Sequence, residues 1–303
     1  MTAPLSDSAI GRLRETFERP EVPERYELLD VIGHGGMGVV WRARDALLGR
    51  DVAVKVIAPH LDGREYSTRL EREARILARL EHPGIVSVHD VGVLDDGRAW
   101  YVMRLVKGTR LDVAARASAS RGELLRIVER LCDTLAYAHA HGVIHRDLKP
   151  GNIMLGPFGE VLVLDWGVAA ESSAAGREPR AVVGTPGYMA PEQAAGLAVD
   201  ERSDVFGLGA ILRDMIAVHG EPAPRRLHSI LTRATEASPG RRYQTAQELR
   251  DDVRRLLDGA RVLAHKESVV ETVARFFATY QAAILLVLAY LVMRLTILLW
   301  RGV

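Results

Sequence analysis

Cysteine is nearly missing from this chain: Cys132 is the only one in 303 residues. A single thiol excludes an intramolecular disulfide and a cysteine-built zinc site, and it suits a reducing compartment. An excess of one charge sign is missing too. Forty Lys and Arg stand against 39 Asp and Glu, a net charge of +1, so nothing draws the whole molecule to nucleic acid, and none is expected as a partner. No apolar run opens the sequence either. Ser6, Asp7, Arg12, Arg14, Glu15 and Glu18 break up the first 20 residues, so no secretory signal is expected there. What is present is 48% hydrophobic and 26% charged residues, the balance of a folded chain of about two domains.

Residues 1–24, with Pro4, Pro20 and Pro23, read as a flexible leader. Apolar and β-branched runs from Tyr26 to Ile57 predict an antiparallel meander. Leu70, Ala74, Leu77 and Leu80 fall on one face of a helix over 66–80 that Pro83 stops. Strands are expected at Val86–Val93 and Ala99–Leu105, and helical patterns follow from Glu123 to His141 and from Thr245 to Leu257. Strands first and helices after them make a two-lobed α+β chain. Arg261–Arg275 reads as a polar helical connector, and Ala282–Trp300 is almost wholly apolar.

Gly33-His34-Gly35-Gly36-Met37-Gly38 fits G-x-G-x-x-G, which dinucleotide-binding turns share. Those turns need a helix directly after the glycines; here Val39-Val40-Trp41 reads as strand. The alternatives left are a hairpin laid over a triphosphate and a plain glycine-rich turn. Lys55, in Val52-Ala53-Val54-Lys55, sits where it could reach the α and β phosphates, though a lone strand lysine is commonly just solvated. Glu73 could hold its ammonium as an ion pair, with Glu71 as the rival.

His145-Arg146-Asp147-Leu148-Lys149-Pro150-Gly151-Asn152 is the most informative stretch. Together with the glycine hairpin and Lys55, it closely resembles the bacterial eukaryotic-like (Hanks-type) Ser/Thr protein kinase family over about residues 26–258. The resemblance implies a bilobal protein-kinase-like α+β fold, with a small antiparallel β lobe over about 25–105 and a larger, mainly helical lobe over about 106–258. It implies Asp147 as the group that orients the substrate hydroxyl and accepts its proton, and Lys149 near the transferred phosphate. Asn152 and Asp165 become ligands of Mg2+, with Mn2+ as an alternative ion, and Lys55 paired with Glu73 completes the catalytic set. Gly33, Gly35, Gly36, Gly38, Val40, Ala53, Lys55, Met103, Arg104 and Val106 would surround ATP, Met103 as gatekeeper and Arg104 and Val106 through their backbones. His145 is expected to support the catalytic loop, and a metal site on His139, His141 and His145 is not expected.

Further motifs fit the same family. Gly184 to Glu192 resembles its peptide-docking segment, Glu192 would pair with Arg242, and Asp204 would brace the catalytic loop. Two features depart. Asp165-Trp166-Gly167 carries Trp where Phe is usual, which should alter packing beneath the helix of Glu73 while the metal ligand stays. Only 38 positions separate Asp204 from Arg242, fewer than the family usually has, and Met215–Arg226 reads as replacing a docking helix. Ser172 or Ser173 is expected to be autophosphorylated, with Arg146 able to bind the phosphate.

The 19 positions 282–300 would span about 28 Å as a helix, against about 30 Å of hydrocarbon. Arg294 would cost roughly 2.5–3.5 kcal/mol at the centre, and eleven Leu, Ile and Val offset it at roughly 0.3–0.6 kcal/mol each. After a helical connector at 259–281, one transmembrane helix is therefore expected, with the basic flank and the kinase lobes cytoplasmic. The reading is a single-pass, cell-membrane Ser/Thr kinase acting on proteins, itself included, with a homodimer as a further partner. The alternative is a noncatalytic ATP-binding pseudokinase scaffold at the membrane. A small-molecule kinase fits less well, because the docking segment and Lys149 are present.

Overall fold

The computed structural model describes residues 19–35, 38–58, 64–114, 120–167, 169–171, 184–220, 223–268, 270–273, 277 and 280–301. Its N-terminal part is a five-stranded antiparallel sheet in the order β1-β2-β3-β5-β4, built from β1 (Tyr26–Gly35), β2 (Gly38–Asp45), β3 (Arg50–Ile57), β4 (Val88–Val93) and β5 (Ala99–Arg104). Strand alternation sorts β3 into two faces. Val52, Val54 and Val56 pack with Trp41 and Trp100 in a small-lobe core, while Ala53 and Lys55 face the other way. Gly49, at φ 62°, makes the β2–β3 turn that a residue with a Cβ would strain. Helix α1 (Arg64–Arg79) covers the sheet with Leu70, Ala74 and Leu77.

The rest is mainly helical. Strands β6 (Thr109–Arg110), β8 (Ile153–Leu155) and β9 (Val161–Val163) form one small sheet, and β7 (Val143–Ile144) pairs with β10 (Ala170–Glu171). Helix α2 (Leu111–Ala114) is a single turn, and α3 (Arg121–Ala140) starts on a capping box in which Ser120 and Glu123 satisfy each other's backbone N–H groups. After α4 (Pro191–Ala194), α5 (Glu201–His219) begins at the N-cap Asp200. Then come α6 (Arg225–Ala234) and α7 (Ala246–Leu257), the latter capped by Thr245. Leu131 and Leu135 of α3, Leu208 and Ile211 of α5, Ile230 of α6 and Leu249 of α7 meet in the large-lobe core. Cys132 lies in that core, where burial pushes its thiol well above the usual range. Helix α8 (Gln281–Arg301) ends the described chain.

Two expectations, the length of the leader and the helical connector, are corrected. The leader ends before 24, because Pro20 is buried and Val22 packs against the small-lobe core. The shortened segment Met215–Arg226 holds the end of α5, which runs on to His219, and the start of α6, which opens at Arg225, with no further helix between them among the described residues. Residues 259–268 form no helix, since Val262 is drawn into the large-lobe core instead. Separately, no helix among the described residues is long and apolar enough to cross a membrane. Arg294 interrupts the expected span at 282–300, and positions 295 and 297–299 have side chains outside the described residues. Gly36, Ser172 and Ser173 also lie outside the described residues.

Candidate active site

A cavity of about 730 Å³ lies between the sheet and the large lobe, within the range of small-molecule sites. Its roof follows from strand register: Val40 of β2 faces Lys55 of β3, Lys55 faces Tyr101 of β5, and Ala53 faces Met103. Gly33, Val40, Ala53, Lys55, Met103, Arg104 and Val106 all line it. Arg104 gives its N–H to Ser87 O at 3.0 Å, so its carbonyl is the backbone group it can offer a base. Gly35 ends β1 and does not line the cavity. Gly38 is not a lining residue either. A Cβ there would overlap Val56 O of the neighbouring strand, so the close approach that demands glycine is to β3.

Lys55 is nearly buried, and its Nζ donates to both carboxylate oxygens of Glu73 at 2.9 Å. Burial would lower its pKa, but Glu73, Tyr101 and Asp165 outweigh that and hold the ammonium well above its ordinary value. Tyr101 OH donates to Glu73 Oε1 at 3.0 Å. Asp165 Oδ1 lies 3.4 Å from Lys55 Nζ, and burial, which alone would raise this carboxyl, is overcome by Lys55 and His145. Glu71 instead pairs with Arg75 on the surface of α1, so the rivalry is settled for Glu73.

The loop from His145 to Asn152 is held from behind. Asp204, buried in α5, accepts the N–H groups of His145 at 2.8 Å and Arg146 at 2.9 Å, and pairs with His139 Nε2 at 2.8 Å. Burial raises the Asp204 carboxyl, but His139 and His145 bring it below its ordinary value. Asp147 N–H donates to His145 Nδ1 at 3.2 Å, which assigns the ring proton to Nε2, 3.1 Å from Leu164 O. Arg146 and Asp165 are the positive-φ non-glycine residues among those described, at 67° and 57°; such backbone is sparsely populated and persists where surroundings over-determine it. Around Asp147 the donors converge. Thr185 Oγ1 donates to Oδ1 at 2.7 Å, Lys149 Nζ to Oδ2 at 2.8 Å, and Asn152 Nδ2 to the backbone O at 2.9 Å.

Residues 26–262 match the family described as protein kinase domain. The chain belongs to the bacterial eukaryotic-like (Hanks-type) Ser/Thr protein kinase family. It is 36% identical over 271 aligned positions to serine/threonine-protein kinase PknB of Mycolicibacterium smegmatis, covering 78% of this chain and 43% of that protein. It is 32% identical over 277 positions to serine/threonine-protein kinase PrkC of Bacillus subtilis, covering 82% and 43%. The crystal structure of the Mycobacterium tuberculosis PknI kinase domain superposes with a TM-score of 0.63 at 28% identity, covering 78% of this chain and 98% of that one. The chain spans under half the length of these curated relatives.

Within this kinase site, Asn152 and Asp165 fit a hard cation. Asn152 commits its Nδ2 to Asp147, which leaves its Oδ1 for an ion, and the Asp165 side chain is 44% exposed. Mg2+ commonly takes one or two protein oxygens and completes its shell with phosphates and water. His139, His141 and His145 point to separate partners: Asp204, Tyr137 O and Leu164 O.

Trp166 is buried, gives its Nε1–H to Val163 O at 3.2 Å and packs edge-on against His145 at 4.7 Å. The larger ring is thus accommodated with its polar atom satisfied. Two groups at the site were not anticipated there. Tyr101 is brought there by the pairing of β3 with β5, which sets it opposite Lys55. Thr185 belongs to the docking segment Gly184 to Glu192 and reaches Asp147 from 38 positions away. Neutralising the ion pair in Glu73→Gln should lower kcat/KM by about 10²-fold, because Lys55 loses its fixed position; steady-state kinetics with ATP as the varied substrate would measure it.

Proposed function

We propose that the chain is an ATP- and Mg2+-dependent Ser/Thr protein kinase that transfers the γ-phosphate to protein hydroxyls, its own included, and that α8 tethers it to the cell membrane with the lobes on the cytoplasmic side. The observation that carries the catalytic reading is the assembly of Lys55, Glu73, Asn152 and Asp165 around one cavity, with Asp147 beside it, bonded to Asn152 and Lys149. Mg2+, held by Asn152 and Asp165, would supply positive charge to phosphate oxygens. Lys55, fixed by Glu73, orients the nucleotide's phosphates, and Lys149 adds a cation next to Asp147. Asp147 accepts a proton from the attacking hydroxyl; its Oδ1 already takes a hydrogen bond from a threonine hydroxyl, the group a substrate presents. Little covalent work is asked of the protein, so position and charge suffice. A noncatalytic scaffold would have no chemical use for the full set, formed ion pair included. Transfer of label from ATP to Ser or Thr by the full chain, lost in Asp147→Asn, tests this reading; binding of ATP without transfer would sink it.

The tether rests on sequence and exposure. Positions 282–300 hold eleven Leu, Ile and Val, and Leu285, Leu286, Leu288 and Val292 of α8 are exposed. Arg294 is six positions, or about 9 Å of helix, from Trp300, near enough for its guanidinium to reach an interface. The same apolar surface suits association of two copies within the bilayer. Full-length protein should stay with the membrane through a carbonate wash, and its release would end the tether reading.

A further inference from the structure

Beyond the kinase-family match at 262, the chain does not leave the large lobe at once. Asp252 of α7, fully buried, accepts Tyr243 OH at 2.9 Å and Arg255 Nη1 at 3.0 Å, and then two backbone groups of the next segment, Leu263 N–H at 2.8 Å and Ala264 N–H at 2.9 Å. Val262 is fully buried beside them. His265 Nδ1 lies 2.9 Å from Ser229 Oγ of α6, and Arg226 of α6 lies 3.4 Å from Glu267. Glu271 accepts the Ser268 N–H at 2.8 Å and faces His265 Nε2 at 3.4 Å. A segment pinned at so many points by buried groups is part of the lobe and not a linker.

We propose that residues 259–271 are a strap that shortens the connection between the catalytic lobes and α8, and that the site therefore selects proteins held on the same membrane surface, other copies of this chain included. This rests on the tether reading. Only 272–280, nine residues, separate Glu271 from Gln281, and nine residues reach at most about 30 Å in any conformation. Two lobes of this size are about 45 Å across, so the domain cannot move off the bilayer by more than its own width. Confinement of enzyme and substrate to one layer raises their effective concentration, which falls roughly as the −3/2 power of connection length once the span is met. With the strap released, the connection becomes 22 residues, 259–280.

The test uses the full chain in phosphatidylcholine vesicles containing a nickel-chelating lipid. One Ser/Thr peptide is offered free or held to the surface by a histidine tag, and flotation reads the tether separately. The native chain should favour the held peptide by at least about tenfold. Inserting 20 Gly and Ser residues between Val273 and Ala274 should lower that preference about sixfold and leave the rate on free peptide unchanged. Val262→Asp, which drives the strap out of the core, should lower it about fourfold and remove exchange protection from the Leu263 and Ala264 amides. Equal rates on both peptides from a floating chain, or a preference untouched by the insertion, would overturn the proposal while the tether stands. A chain that does not float loses the tether and the preference together.

Discussion

Asp147→Asn is expected to lower the phosphoryl-transfer rate by about 10²–10⁴-fold, the usual worth of a positioned general base, while the Kd for ATP stays within about twofold. The first half follows from the proton: a carboxamide cannot accept it. The second follows from location, since Asp147 is not among the residues lining the cavity, whereas Lys55, Asn152 and Asp165 are. The loop itself should survive the change. Asp147 Oδ2 accepts from Lys149 and from Asn152 Nδ2 at 3.3 Å, and Oδ1 accepts from the Thr185 hydroxyl. An amide oxygen turned toward Lys149 and Asn152 keeps those bonds. Its NH2 then faces Thr185 Oγ1, which can rotate its proton away and accept. Thermal unfolding should therefore shift little while kcat collapses, and a variant that loses ATP affinity along with kcat would show that Asp147 acts through the shape of the cleft instead.

That separation between chemistry and scaffold also explains what could be read without a structure. Asp147, Lys149, Asn152 and Asp165 were legible through the resemblance of their motifs to the kinase family, the first three on one tight loop and Asp165 just after β9. Glu73 was legible in principle. It falls at i+3 from Leu70 and i+4 before Leu77, on the apolar stripe of α1 that faces the sheet, whereas Glu71 is turned away. Contacts set by three-dimensional convergence were not legible. Thr185 reaches Asp147 across 38 positions and Tyr101 reaches Glu73 across 28, and no local pattern announces either. The strap was misread for a related reason. Its polar residues looked like a solvated helix, while its one decisive side chain, Val262, and its bonds to Asp252 depend on a pocket made by α7.

Arg242→Ala is expected to destabilise the protein by about 3–5 kcal/mol, the usual cost of breaking a buried ion pair from one side. In a domain of this size that is a fall in Tm of roughly 6–20 °C, readable by calorimetry. The guanidinium has no exposure, and all of its nitrogens are engaged. Nη1 and Nη2 each meet a carboxylate oxygen of Glu192 at 2.6 Å, Nη1 also donates to Arg202 O, Nη2 to Ala237 O and Nε to Glu236 O. Truncation leaves a carboxylate that is 8% exposed without its partner, together with three carbonyls. Arg242→Lys should rescue little, because a point charge with three donors cannot reproduce the planar fork. The damage should also reach the chemistry. Glu192 sits seven positions after Thr185 in the segment that delivers the threonine hydroxyl to Asp147, so below its lowered Tm the variant should lose kcat while the ATP cavity, built elsewhere, keeps its affinity. If Tm moves by less than about 2 °C, roughly the shift expected for 1 kcal/mol or less, the pair is not what holds this segment to the large lobe.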